Sequence, residues 1–208
     1  MKQQSLIKLV KSEVPMEFLT SWTCSLDNVY QETKSHTSSY YADHVAEDIL
    51  PYIRRAKAEE LLCNTANQYK IKVSIEKNSA KNWNYTQVRS GKILMTTSYV
   101  DAPNKIVRAA RFRETLAENQ YKLFIPIDDQ EGDSYYAILL HGGLAQSYFA
   151  RIAFPSPDCQ RYIENIDLFK FCNINKISIT SSEEKIKDES TPQLRAKVYN
   201  KKAWLKLG

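Results

Sequence analysis

Three histidines, four cysteines and several clustered carboxylates are the groups through which this 208-residue chain could act on a substrate or hold a metal. His44, Glu47 and Asp48 stand at i, i+3 and i+4, a spacing that gathers side chains on one helical face as a metal site requires. The same pattern suits a solvated helix start, where acids are favoured by the positive end of the helix dipole, and that is the reading adopted. His141-Gly142-Gly143 follows an apolar run, where some hydrolases place an oxyanion loop. Those enzymes also carry a Gly-x-Ser-x-Gly elbow, which does not occur in this sequence, so turn glycines closing a strand are the simpler reading. Asp128, Asp129, Glu131 and Asp133 cluster carboxylates of the kind hard cations accept, although a solvated acidic loop is the reading adopted. Cys24, Cys63, Cys159 and Cys172 have no Cys-x-x-Cys spacing, which indicates free thiols rather than a zinc site or a disulfide framework.

A magnesium-dependent nuclease of the restriction type needs an acidic residue plus Glu-x-Lys or Asp-x-Lys on adjacent strands, to hold the ion and orient water. Glu32-Thr33-Lys34 and Glu183-Glu184-Lys185 fit the letters without lying in a strand pattern, and Glu76-Lys77 lies in one with the wrong spacing. No catalytic residue, metal ligand or cofactor is therefore assigned. The chain is read as a non-enzyme, with the nuclease kept as a third alternative.

Charge points elsewhere. The net charge is +5, but residues 71–125 hold ten Lys and Arg against four Asp and Glu, whereas 126–175 hold three against seven. A local field of this kind is what steers an acidic ligand. At its centre is KIVRAARFR, residues 105–113. On a helix expected over about 105–118, Lys105, Arg108 and Arg111 fall at three-residue steps and form one stripe, Arg111 being able to pair with Glu114. Trp83, Tyr85, Arg89, Lys92 and Tyr99 stand nearby in sequence. Basic groups for phosphates, interleaved with rings for bases, make a nucleic-acid surface, so Lys105, Arg108, Arg111, Arg89, Lys92, Trp83 and Tyr85 are the expected binding residues for DNA or RNA. The plain competitor is an ordinary amphipathic helix over a sheet whose rings are core. A second functional reading is a protein-interaction module, an inhibitor or assembly factor. It would act through a surface drawn from thirteen tyrosines and through the C-terminal stretch YNKKAWLKL.

These residues need a scaffold. The spacing predicts a short helix in SLIKLVKSEV interrupted by Pro15, and a long helix from an Asp43 cap, with Val45, Ile49, Tyr52, Ile53, Ala56, Cys63 and Ala66 on its apolar face and Pro51 kinking or restarting it. KIKVSIEK (70–77) alternates as a half-buried strand with Ile71, Val73 and Ile75 inward. WNYTQVR (83–89) and KILMTTSYV (92–100) make a hairpin across Ser90-Gly91, and YYAILLH (135–141) with YFARIAF (148–154) makes a second. Ser156 and Pro157 predict a short helix to about Ile163. The sum is an α+β domain over residues 1–180, with a mostly antiparallel sheet of about five strands in two hairpins. One long N-terminal helix and shorter helices would cover it, leaving one face of the sheet accessible. Residues 181–208 read as a polar, weakly packed or docking tail. The longest clean apolar run, YYAILL, is too short to span a bilayer, and the N-terminal residues lack a signal-peptide core. A soluble, cytoplasmic protein is the expectation, with its oligomeric state undetermined.

Overall fold

The computed structural model describes residues 4–78, 80–118, 120, 134–143 and 148–174. Two long helices carry one side of the molecule. After α1 (Gln4–Glu13) and Pro15, α2 runs over Met16–Tyr40 and α3 over Asp43–Gln68. Phe18, Leu19, Trp22, Leu26, Val29, Tyr30, Thr33 and Thr37 recur every three or four residues along α2 and are all buried, which makes one continuous packing face. Thr33 and Thr37 belong there because each hydroxyl donates to the carbonyl four residues back, at 2.6 and 2.8 Å, so a polar atom is buried with its bond made. In α3 the cap is Ala42, with Asp43 the first helical residue, and the helix continues through Pro51.

The chain then builds one six-stranded sheet in sequence order. β1 (Lys72–Lys77), β2 (Asn84–Ser90) and β3 (Ile93–Tyr99) form an antiparallel meander. A crossover holding α4 (Arg111–Ala117) leads to β4 (Tyr135–Gly142), which lies parallel to β3. β5 (Phe149–Pro155) and β6 (Tyr162–Asp167) continue antiparallel, and α5 (Leu168–Phe171) follows, its cap Asp167 accepting from two backbone N–H groups. The α+β class and the mostly antiparallel sheet are as expected from sequence, with six strands rather than about five.

Side-chain alternation splits the core in two. Val88, Met95, Tyr135, Ala137, Leu139, Ile152 and Phe154 face α1, α2, α3 and α5. Tyr136, Ile138, Leu140 and Ala153 face the crossover, meeting Val107, Ala117 and Cys159. Both faces of the central strands are thus covered, contrary to the expectation of one accessible face. Every residue of β4 is buried, which is why its sequence is a continuous apolar run instead of an alternating one. The edge strand β1 is less committed: Ile71 and Val73 pack against the core, but Ile75 is 66% exposed.

Two expected helices take other forms. Residues 105–110 are irregular and only 111–117 are helical. The reason is competition for backbone groups. The Tyr162 hydroxyl donates to the Lys105 carbonyl at 3.0 Å and accepts the Val107 N–H at 3.1 Å, while the Arg113 guanidinium takes the Arg108 carbonyl at 2.8 Å. Residues 156–161 make a turn into β6, because the Ser156 N–H donates to the Arg161 carbonyl and the Arg161 N–H returns to the Ser156 hydroxyl. The described residues all lie within Met1–Ile177, the first of two compact units in the chain. The piece YKLFIPI, the acidic loop 128–133 and the tail 181–208 are outside the described residues. Among the described residues no helix is long and apolar enough to cross a membrane.

Candidate nucleic-acid interface

At the end of the sheet where β3 and β4 run out in parallel, the chain leaves a cleft of about 610 Å³. Three walls close it. Pro51, Tyr52 and Arg55 come from α3, Asn78, Asn82 and Trp83 from the β1–β2 turn, and Ser98, Tyr99 and residues 108–113 from the end of β3 and the crossover. Arg55, Arg108, Arg111 and Arg113 therefore meet in one concavity with Tyr52, Trp83, Tyr99 and Phe112.

Local chemistry fixes the walls. The turn is held by Asn78, whose side-chain oxygen accepts the Asn82 N–H at 3.1 Å and whose amide donates to the Asn82 side chain at 2.8 Å. Trp83 follows, 38% exposed, with the Arg55 guanidinium 4.5 Å from its ring centre. Phe112 stacks on Tyr85 at 4.1 Å, with the Tyr85 ring buried beneath it. Arg113 is 6% exposed and binds the Arg108 carbonyl and the Ser98 hydroxyl, tying the crossover to β3. Its Nε has no partner among the described residues. Arg108 and Arg111 are exposed.

One carboxylate lies under the arginines. Glu59 accepts the Thr86 N–H at 2.8 Å. Burial pushes its carboxyl up, and the Thr86 hydrogen bonds and the charges of Arg55 and Arg113 pull it back. Burial lowers Arg55, with Glu59 opposing, but a guanidinium stays charged near neutral pH. The cleft thus keeps an excess of positive charge.

Behind Tyr99 is a buried polar group. The Tyr99 ring meets His141 edge-on at 5.8 Å, and His141 Nδ1 shares a 3.0 Å hydrogen bond with the Tyr30 hydroxyl. Arg54 lies 4.4 Å over the Tyr30 ring and donates to the Gly143 carbonyl at 3.0 Å. Burial, then the Arg54 charge, push His141 down to about 3, so its imidazole is neutral. These bonds join α2, α3 and the end of β4, and so hold the wall on which Arg55 stands.

Of the residues expected from sequence, Trp83, Arg108 and Arg111 line the cleft. The others do not. Lys105 is exposed and paired with Asp101, four residues back, so no three-residue stripe exists. Tyr85 is buried beneath Phe112 rather than presented to a ligand. Arg89 and Lys92 sit at the opposite end of the β2–β3 hairpin, about 20 Å along the strand from Trp83, where the Lys92 N–H binds the Glu13 carboxylate. Among the described residues Arg111 has no ion-pair partner, and the expected pairing with Glu114 is not made. Arg55, Tyr52 and Arg113 were missed. Tyr52 and Arg55 stand at i, i+3 on the long helix, which was the available signal that they share a face. His44, Glu47 and Asp48 are exposed on the first turns of α3, and among the described residues no group of three or more His, Cys, Asp or Glu could hold a metal. Glu32-Thr33-Lys34 lies within α2, not on a strand. No family model, curated protein or solved structure matches the chain.

Proposed function

We propose that this protein binds nucleic acid, without catalysis, through the cleft between α3, the β1–β2 turn and the crossover. The observation that carries this reading is the convergence of Arg55, Arg108, Arg111 and Arg113 with exposed rings of Trp83 and Tyr52 in one concavity. Guanidinium groups match phosphate geometry in pairs of hydrogen bonds, and aromatic faces accept bases. Arg108 and Arg111 are the phosphate contacts and Arg113 is the buried strut beneath them. The adjacent strands β2 and β3 carry no carboxylate, so the arrangement a metal-dependent nuclease would need has no support there. The tyrosines divide: Tyr30, Tyr85, Tyr135, Tyr136 and Tyr148 are buried, while Tyr40, Tyr41 and Tyr52 are exposed.

The test is binding of labelled mixed-sequence oligonucleotides by fluorescence anisotropy across a salt series. The wild type binds, with log affinity falling as log salt rises. The triple change Arg55→Ala, Arg108→Ala, Arg111→Ala weakens all sequences alike and flattens that slope by up to about two to three, at roughly 0.7–0.9 for each phosphate no longer neutralised. Lys105→Ala changes the slope little, since that charge is already paired. No binding by the wild type, or an unchanged slope in the triple variant, would refute the proposal.

A further inference from the structure

The shape of the cleft carries the argument further than its charge. A protein that reads a duplex pushes a convex element into a groove about 12 Å wide. Here the binding groups face inward on three walls of a concavity of about 610 Å³. That volume lies within the range of small-molecule sites, roughly 300–1,000 Å³. A stacked duplex cannot enter such a space, whereas an unpaired base and its flanking phosphates can.

The rings agree with this. Trp83 is held on one side by Arg55, with the guanidinium 4.5 Å from the ring centre, while 38% of the residue remains exposed. Tyr52, on α3 with Arg55, is 68% exposed. The parts of these rings left in water bury no area in the protein's own core. They gain it when a base is laid against them, and every base offers a π face. In a duplex those faces are already covered by neighbouring base pairs.

We infer that the cleft selects single-stranded nucleic acid over duplex, seating an unpaired base against Trp83 and the strand's phosphates on Arg108 and Arg111. This rests on the nucleic-acid reading above and narrows its ligand class. Aromatic stacking supplies the preference, and the arginines supply affinity common to both forms.

The experiment compares a labelled single-stranded 12-mer of mixed sequence with its blunt duplex at one fixed salt concentration, for the wild type, Trp83→Ala and Trp83→Phe. The single strand binds at least about tenfold tighter than the duplex. Trp83→Ala weakens single-strand binding at least about fivefold and leaves duplex binding unchanged, and Trp83→Phe keeps much of the preference. Single-strand binding also quenches the tryptophan fluorescence, and the quench disappears in Trp83→Ala. Equal or tighter duplex binding, or equal loss for both forms in Trp83→Ala, would overturn this inference while leaving nucleic-acid binding intact. No binding of either form by the wild type would remove the underlying reading as well.

Discussion

Arg54 and Arg55 are neighbours in the chain with opposite surroundings. Arg54 is 4% exposed, over the Tyr30 ring and on the Gly143 carbonyl, while Arg55 turns to the cleft and Trp83. A rotation of about 100° per residue separates them, and only the packing of α3 says which side meets the cleft and which the core. That is why Trp83, Arg108 and Arg111, which line the cleft, were singled out from the sequence and Arg55 was not. Arg54 also bears on a pH response, because its charge adds to burial in keeping His141 neutral. The folded His141 titrates at about 3 against an ordinary 6.5. As pH falls below about 6.5 the unfolded chain takes up a proton that the folded one refuses, so this contribution to stability is full above that value and is lost toward 3. The loss is about 1 kcal/mol between about pH 7.5 and 5.5. Glu59 is raised and runs the other way, gaining stability as pH falls, so a comparison isolates the histidine. Urea midpoints for the wild type and His141→Gln, each at both pH values, should show the steeper fall on acidification in the wild type. Parallel falls would contradict the neutral, buried His141.

The elements were legible where one signal dominated. The uninterrupted apolar run of β4 and the glycine at the β2–β3 turn gave both hairpins. Gly91 takes φ +52° there, and a side chain at that position would meet the Glu13 carboxylate. Helix α2 was passed over because its buried face includes Thr33 and Thr37, whose hydroxyls look polar in sequence and are satisfied only by the helix's own carbonyls. The crossover misled for a different reason: its backbone partners, Tyr162 and Arg113, are chosen by the fold and not by local spacing. Where β3 and β4 part, beside the cleft, the Val100 N–H donates to the His141 carbonyl at 2.9 Å, and Gly142 packs so closely that an added Cβ would lie 1.8 Å from the Val100 carbonyl oxygen. Backbone cannot swing aside as a side chain can. Gly142→Ala should therefore destabilise by about 3 kcal/mol, as overpacking in a dense core does. In a chain of this size that lowers the melting temperature by on the order of 10 °C. A variant as stable as the wild type by thermal denaturation would show that the two strands are less tightly seated.

For the whole molecule, the positive charge of residues 71–125 is not one patch. The β2–β3 hairpin carries Trp83 to the cleft and Arg89 and Lys92 to its far end, and the crossover returns Arg108, Arg111 and Arg113 beside α3. Summed charge along a sequence registers none of that folding, so it located the segment and not the site. The proposed cleft is tested by where nucleic acid touches the protein. Ultraviolet crosslinking of the full chain to a single-stranded oligonucleotide, followed by mass spectrometry of the crosslinked peptides, reads this directly. Crosslinks should fall on Trp83, Tyr52, Tyr99 and Phe112. Crosslinks confined to other exposed rings, such as Tyr40 and Tyr41 at the end of α2, would contradict the account.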